Sequence, residues 1–249
     1  MWLVGTEGLA PDPAAQVPQV AASVFLEMIE SGDRICVAWG RTVYAIADAM
    51  TFADRQGVTV VEMCGNLGSP YSYRPDQCIM EIARRLNARG LNFYAPLVLS
   101  SEELAHRLRQ EPVIREQLES VSGCSLALFS VGTINEDSHV IKCGALGLHE
   151  LVQLKSMGAT GVIAGQIIDA DGRLLPCDYN RRMISAAFSS IRSIPRRLVV
   201  VQEDEKFEPL LAAIKGGFVT HLVATSTMAE RLLQTVPADA DAPPAHLDA

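Results

Sequence analysis

Short runs of β-branched and other apolar residues alternate along the chain with segments whose apolar positions recur at helical spacing. This alternation is typical of strand–helix–strand units, which build a parallel sheet with helices on both of its faces. The pattern predicts seven strands, over residues 34–39, 58–63, 92–98, 126–131, 161–168, 197–201 and 218–224.

The helical segments carry apolar stripes that would pack onto such a sheet. A capping box at residues 100–103 and a proline at position 112 predict the starts of two further helices, because such residues are favoured in a first turn. The predicted helices therefore include the two striped segments, residues 43–50 and 79–86, the two that begin near Ser101 and Pro112, and those that follow Leu148, Phe207 and Ser226.

Composition along the chain predicts a single central domain. Residues 1–20 are rich in Ala, Pro and Gly, which predicts a lead-in segment. Residues 235–249 are rich in Pro, Ala and Asp, which predicts a disordered tail. No linker interrupts residues 21–234, so we expect one domain there.

Overall composition excludes several classes of protein. The 249 residues carry a formal net charge of −8 and are 49% apolar, which is typical of a globular domain. An acidic chain repels a phosphate backbone, so we expect no direct nucleic-acid contact from these residues. The sequence has neither a long uncharged apolar run nor the basic start of a signal peptide, and we expect a cytoplasmic protein with no membrane partner.

The cysteines and histidines lack the spacing of a metal site. No two of the six cysteines form a CxxC pair, and the five histidines are scattered. We therefore expect reduced thiols in the protein, no metal and no cofactor.

Three predicted turns carry residues that suit an anion. Residues 40–42 join a strand directly to a helix, so backbone N–H groups, a guanidinium and a hydroxyl could converge on a phosphate. Small residues after two other strands would let backbone approach a ligand. Each glycine also fits ordinary turn chemistry, and both interpretations stay open. The candidate residues in these turns are Gly40, Arg41, Thr42, Gly65, Asn66, Gly132 and Thr133.

Two further cations are candidates for the same ligand. Arg182 follows a polar segment at residues 178–180 and suits a phosphate clamp. Lys206 opens a helix, where a cation works against the helix dipole, and that misfit hints at a function. Both residues could equally be ordinary surface charges. The segment 169–172 is interpreted as a tight turn without a metal.

A catalytic mechanism is hard to find in the sequence. Residues 137–139 combine Asp, Ser and His, but chain neighbours do not line up as a triad, and no Gly-x-Ser-x-Gly elbow is present. The phosphate-binding and dinucleotide-binding glycine motifs are missing too. We predict no catalytic residue. An enzyme that uses Asp137 or Asp169 as its general base stays open as an alternative.

A series of short motifs makes the chain resemble one known family. They occur in a fixed order at residues 32–33, 39–42, 81–86, 95–97, 101–104, 111–116, 131–133, 137–138, 158–159, 169–172, 206 and 215–217. In this order and at these spacings, the chain resembles the effector-binding, or sugar-binding, domain of the SorC family of bacterial transcriptional regulators.

The resemblance implies a Rossmann-like sheet related to phosphosugar isomerases and CoA transferases, and a domain that is not an enzyme. Such a domain binds a phosphorylated sugar or a similar small anion and alters operator DNA binding. The DNA contact would come from an N-terminal helix-turn-helix domain absent from this sequence, whether excised or naturally lost. The resemblance also implies a homodimer or homotetramer. The resemblance places the ligand-binding positions of the family at Gly40, Arg41, Thr42, Gly65, Asn66, Gly132, Thr133, Arg182 and Lys206.

The sequence departs from the family pattern on the sugar side of the expected pocket. Asn66 and the pair at residues 202–203 stand where the family has glycines, and Val162 stands where an acidic residue is usual. Leaving a buried ligand hydroxyl unpaired beside Val162 would cost about 1–3 kcal/mol. We therefore expect a less hydroxylated or unusual ligand. The same departures leave open an oligomerisation module with a degenerate, ligand-free pocket. The relation of the fold to phosphosugar isomerases also leaves open an isomerase with Asp137 or Asp169 as its general base.

Overall fold

The structure is a computed structural model that describes residues 1–4, 13–68 and 70–235. Within these residues, seven strands form one fully parallel sheet and two form a separate antiparallel hairpin. The strands are β1 (Trp2–Val4), β2 (Arg34–Val37), β3 (Thr59–Glu62), β4 (Arg89–Leu91), β5 (Leu126–Phe129), β6 (Gly161–Ile163), β7 (Gln166–Ile168), β8 (Arg196–Val201) and β9 (His221–Thr225).

The strand order in the main sheet is β1-β9-β8-β5-β2-β3-β4. From β2 the chain moves outward through β3 to β4, and from β5 it moves in the opposite direction through β8 to β9. Strands β2 and β5 are direct neighbours, with Cys36 opposite Ala127. The order therefore reverses between β2 and β5, and ligands of open parallel sheets bind beyond the carboxyl ends of the strands at such a point.

Helices cover both faces of the sheet, as the hydrophobic pattern predicts. Successive residues of β2 face opposite ways: Ile35 packs with helices α1 to α3, whereas Cys36 packs with helices α9 to α11. The helices are α1 (Pro13–Met28), α2 (Arg41–Ala49), α3 (Pro75–Leu86), α4 (Glu102–Gln110), α5 (Pro112–Ser120), α6 (His139–Lys142), α7 (Leu148–Ser156), α8 (Asp178–Arg181), α9 (Phe188–Ser193), α10 (Phe207–Lys215) and α11 (Ser226–Thr235). None of these helices is both long and apolar enough to cross a lipid bilayer.

Residues 161–168 form a hairpin and not the single strand that the apolar run predicts. Val162 pairs with Ile167 in an antiparallel ladder. The chain reverses at Ala164 and Gly165, whose φ angles are 48° and 82°. Because these turn residues are as apolar and buried as the strands, the hydrophobic pattern contains no break that would reveal the turn.

The strand predicted over residues 92–98 is wrong as a member of the sheet. The sheet strand is Arg89–Leu91, which pairs with β3. Residues 93–97 alternate between buried and exposed because Phe93, Ala95 and Leu97 point inward. This extended segment makes only single bridges, such as Asn66 with Pro96. Its alternation imitates a strand without sheet pairing.

The segment predicted as a lead-in contributes two elements to the domain. Strand β1 pairs with β9, with Trp2 opposite Val223. Helix α1 begins at Pro13 and runs past the expected boundary at residue 20 to Met28, with Val17 and Phe25 fully buried. The Ala-, Pro- and Gly-rich composition of residues 1–20 did not indicate this helix. At the other terminus α11 extends to Thr235, and the rest of the predicted tail lies outside the described residues.

A charged cluster at the amino end of the sheet joins three strands. Asp33, which is only 8% exposed, accepts hydrogen bonds from Arg196 at 2.9 and 3.0 Å and from the Ser125 hydroxyl at 2.6 Å. The cluster holds together the starts of β2, β5 and β8, the three strands whose opposite ends carry the candidate site.

Replacing Asp33 by Ala is expected to lower the free energy of unfolding by about 2–3 kcal/mol, because Arg196 would lose the more buried of its two carboxylate partners and keep only the exposed Glu30 at 3.3 Å. Urea denaturation measures this change. The control is Asp171→Ala, which breaks an exposed ion pair with Arg173 at 2.7 Å. Its expected effect is below about 0.5 kcal/mol. Equal losses in the two variants would show that the Asp33 cluster is not stabilising.

Candidate functional site

A cavity that opens to solvent lies where the strand order reverses; the empty space it encloses, counted out into the open solvent at its mouth, is about 670 Å³. The turns that follow β2, β5 and β8 meet there, and the hairpin β6–β7 and helix α6 close its sides. Six of the nine candidate residues from the sequence line it, namely Gly40, Arg41, Thr42, Gly132, Thr133 and Lys206.

The start of helix α2 supplies backbone N–H groups to this cavity. Its first intrahelical bond runs from the N–H of Tyr44 to the carbonyl of Gly40 at 2.9 Å. The N–H groups of residues 41–43 precede that bond and have no carbonyl partner within the helix. The N–H of Gly40 itself donates to the Tyr73 carbonyl at 3.0 Å. The prediction that the amide of Gly40 binds an anion is therefore wrong, because this amide already has a partner. The available N–H donors begin at Arg41.

Lys206 places its ammonium group between the turns after β2 and β5. The residue is only 9% exposed, and its Nζ lies 3.2 Å from Thr42 Oγ1 and 3.5 Å from Ser130 Oγ. It also lies 2.8 Å from Glu203 Oε2. A buried ammonium beside a helix start forms a strong point of attraction for an anion.

Glu203 also faces Arg41, whose Nη2 lies 4.0 Å from Glu203 Oε1. Burial alone would raise the pKa of this carboxyl. The charge and hydrogen bond of Lys206 outweigh burial and hold the pKa of Glu203 below its usual value. Sequence analysis noted Glu203 only as a departure from a glycine and did not predict this ion pair.

The third turn approaches the hairpin very closely. Gly132 and Val162 bond to each other through both backbone pairs, at 2.9 and 3.0 Å. A Cβ on Gly132 would lie 3.1 Å from the Cβ of Val162. Gly132 thus allows the hairpin to close over the cavity, and its N–H is not available to a ligand. Thr133 lies beside it and donates from Oγ1 to Asn135 at 3.2 Å.

Helix α6 supplies residues that sequence analysis considered only as a catalytic triad. The His139 ring makes edge contacts with Trp39 and Tyr73, with centroid distances of 4.6 and 4.3 Å. Burial, together with the positive charges of Arg41 and two lysines, lowers the pKa of His139 to about 4. The ring is therefore neutral near pH 7.

The triad arrangement is not formed. Asp137 pairs with Lys142 at 2.8 Å, and the nearest polar partner of the His139 Nε2 is the Cys143 sulfur at 2.9 Å. The buried hydroxyl of Ser138 has no hydrogen-bond partner in the described part of the chain. Ser138 lines the cavity; sequence analysis noted it only within the Asp-Ser-His segment and in the family motif at residues 137–138.

Asn66 lies outside the cavity and has a structural role. Its amide donates to both oxygens of Glu62 at 3.1 and 3.0 Å, and its carbonyl oxygen accepts from the N–H of Asp76 at 3.0 Å. It thus ties the end of β3 to the start of α3. Burial raises the pKa of Glu62 to about 7, despite hydrogen bonds from Phe93 and Asn66 that lower it.

Gly65 and Arg182 are also placed away from the cavity. A Cβ on Gly65 would lie 2.6 Å from the carbonyl oxygen of Pro96, so this glycine allows two backbone segments to pass closely. Arg182 pairs with Asp178 at 2.6 Å and with Glu150 at 2.8 Å. The structure therefore does not bring these residues together with Arg41 and Lys206.

The donor sets of the described residues are poor in metal ligands. Within the described ranges, no group of three or more His, Cys, Asp or Glu side chains is arranged to hold a metal ion. All six cysteines are unbridged, and five of them are buried. The cavity is lined by two cations, the carboxylates of Asp137 and Glu205, several hydroxyl groups and the neutral His139 ring.

Comparison with known proteins gives one family. The family model described as "Putative sugar-binding domain" matches residues 3–234. The Escherichia coli K12 protein described as uncharacterized transcriptional regulator YjhU is 33% identical over 218 residues, 86% of this chain and 65% of that protein. A deoxyribonucleoside regulator of Bacillus subtilis is 24% identical over 213 residues, 85% of this chain and 68% of the relative. The chain thus spans about two thirds of the length of these relatives.

Solved structures show the same fold. A transcriptional regulator from Streptococcus pneumoniae has a TM-score of 0.86 at 19% identity, with 94% of this chain and 90% of that chain covered. The full-length sorbitol operon regulator SorC from Klebsiella pneumoniae has a TM-score of 0.80 at 20% identity, with 88% and 72% covered. Because the family model covers residues 3–234, the chain belongs to the family of sugar-binding domains, and the proteins that it resembles in sequence are transcriptional regulators.

Proposed function

We propose that this chain is the effector-sensing domain of a transcriptional regulator and binds a phosphorylated sugar, or a similar small anion, in the cavity. The observation that carries the proposal is the convergence of Lys206, Arg41 and the first N–H groups of α2 at one point. These are donors and cations of the kind that phosphate oxygens accept.

The remainder of the cavity favours a ligand with few hydroxyl groups. Val162 and Val140 form apolar wall, and Trp39 adds an aromatic side chain. The polar side chains on this side are the hydroxyls of Ser138 and Thr133, the His139 ring, and Asp137, which is paired with Lys142. A sugar rich in hydroxyls would leave several of them unpaired against valine, at about 1–3 kcal/mol for each buried group.

Binding is favoured over catalysis because the candidate bases are already engaged. Asp137 is paired with Lys142. Asp169 accepts hydrogen bonds from the N–H groups of Asp171 and Arg173 at 2.9 and 2.8 Å, and so serves its own turn. The similar curated proteins are transcriptional regulators.

We infer that the whole protein is a cytoplasmic homodimer or homotetramer that contacts operator DNA through a segment outside this sequence. A ligand can transmit a signal only by preferring one of two arrangements of the assembly. The family match and the greater length of the relatives support the contact with operator DNA, whereas the oligomeric state is proposed from the resemblance alone.

A thermal-shift screen tests the ligand assignment. Among phosphorylated sugars and their unphosphorylated parents, we expect at least one phosphorylated compound to raise the melting temperature by several degrees and its parent to have no effect, because ligand binding adds directly to stability. Arg41→Ala is expected to reduce this shift. The control is Arg173→Ala, which removes an exposed arginine that is not among the cavity-lining residues. Equal responses from the two variants would contradict the anion site.

A further inference from the structure

The two cations of the cavity already have an internal anion. The Glu203 carboxylate lies 2.8 Å from Lys206 Nζ and 4.0 Å from Arg41 Nη2. Its side chain is only 23% exposed. Glu203 is not itself among the residues that line the cavity, but its carboxylate contacts both of the cations that an incoming anion would have to reach.

The Glu203 carboxylate makes the net charge near the two cations negative. Arg41 and Lys206 line the cavity together with Asp137 and Glu205, so the charged lining residues are balanced before Glu203 is counted. Glu203 adds a further negative charge at the cations themselves. A ligand with a single negative charge gains little from the field of such a site, because it exchanges one carboxylate for another.

A free anion competes at a disadvantage with the Glu203 side chain for the two cations. A side chain held beside its partner has a high effective concentration, whereas a free ligand loses translational and rotational freedom on binding. A phosphate dianion brings a second charge and additional acceptor oxygens. Those oxygens can reach the N–H groups at the start of α2, to which Glu203 forms no hydrogen bond in the described structure.

We propose that Glu203 determines the specificity of the cavity: it pairs with Lys206 and Arg41 when no ligand is bound, excludes monocarboxylate ligands, and is displaced by a phosphate dianion. This inference rests on the proposed function, because it names the chemical class of ligand for the same site. It assigns the selectivity to one side chain that forms no part of the ligand-binding set predicted from the sequence.

Isothermal titration calorimetry with inorganic phosphate and with acetate, at pH 8 and constant ionic strength, tests the inference. Glu203→Gln is expected to bind phosphate about 10-fold more tightly than the wild type, because one close repulsive charge is removed. The same variant is expected to gain acetate binding that the wild type lacks.

The matched control is Glu208→Gln. Glu208 is an exposed carboxylate in the first turn of α10 and is not among the residues that line the cavity. Its substitution is expected to leave the phosphate affinity within about twofold and to create no acetate binding, because its charge is farther from the cations. An equal gain in both variants would reduce the effect to net charge and contradict the inference.

The outcomes separate this inference from the proposed function. If phosphate binds the wild type, is lost in Lys206→Met and is unaffected by Glu203→Gln, only the inference fails. If phosphate binds none of the variants, the anion site fails and the inference with it. Melting temperatures report folding, and Glu203→Ala provides a second variant with the same expectation. Unfolding of both Glu203 variants would show a purely structural ion pair and would also overturn the inference.

Discussion

The domain in which Lys206 is replaced by Met is expected to bind its phosphorylated ligand about 30-fold more weakly, or worse. Lys206 is nearly buried, and its ammonium group joins Thr42 to Ser130 across the strand reversal. Removing one partner of a desolvated charged contact costs about 2–5 kcal/mol of binding free energy. Methionine keeps the packing of the aliphatic stem, so the loss reports the charge. Calorimetric titration with the sugar phosphate that best stabilises the wild type measures it.

A second lysine on the same helix provides the control. Lys215 is exposed and lies at the carboxyl end of α10, whereas Lys206 lies at its start. Lys215→Met removes the same charge from the chain and is expected to bind like the wild type. If Lys206→Met retains an affinity within about threefold of the wild type, the ammonium does not bind the anion.

Replacing Gly172 by Ala is expected to lower the free energy of unfolding by about 3–4 kcal/mol. Gly172 has a φ of 73°, which costs a residue with a Cβ about 1–2 kcal/mol. Its Cβ would also lie 2.3 Å from the carbonyl oxygen of Ala212 and 2.7 Å from the Cα of Gly216. Both contacts are with the backbone at the end of α10, so the turn and the helix would have to separate.

A substitution at Gly158 separates the cost of the positive φ from the cost of the steric contacts. Its φ is 88°, but a Cβ there would meet nothing within 4 Å. Gly158→Ala is therefore expected to cost only the conformational part, about 1–2 kcal/mol. Urea denaturation of both variants gives the difference. Equal losses would show that the turn at Gly172 is not packed against α10 in solution.

The location of the site could be predicted from the sequence because it follows from sheet geometry. In a parallel sheet the carboxyl ends of the strands share one edge, so the turns after three of the predicted strands had to meet along that edge. The structure places Arg41, Thr42 and Lys206 in one cavity, as this reasoning predicts. Gly65 and Asn66 follow β3 at the same edge, but β3 lies one strand beyond the reversal. Position at the edge of the sheet does not by itself distinguish turns that line the cavity from the turn after β3, which lies outside it.

Other features depend on contacts that spacing does not reveal. Asp178 lies four residues before Arg182, so their ion pair follows from helical spacing. Glu150, in contrast, is distant in the sequence and comes close to Arg182 only through the fold. The pairing of Glu203 with Lys206 spans three residues, but its importance comes from burial and from the nearness of Arg41. Sequence patterns report which residues are chemically able to bind an anion, and tertiary packing decides which of them remain accessible to one.

The most direct test is an NMR titration of the ¹⁵N-labelled domain with inorganic phosphate. We predict that the largest amide shifts fall on Arg41, Thr42 and Val43, whose N–H groups begin α2 without partners in the helix, and that Lys206→Met abolishes them. The amide of Asp76, which begins α3 and already bonds to Asn66, is expected to stay unchanged. Shifts confined to another surface, such as that around Arg182, would contradict an anion site at the strand reversal.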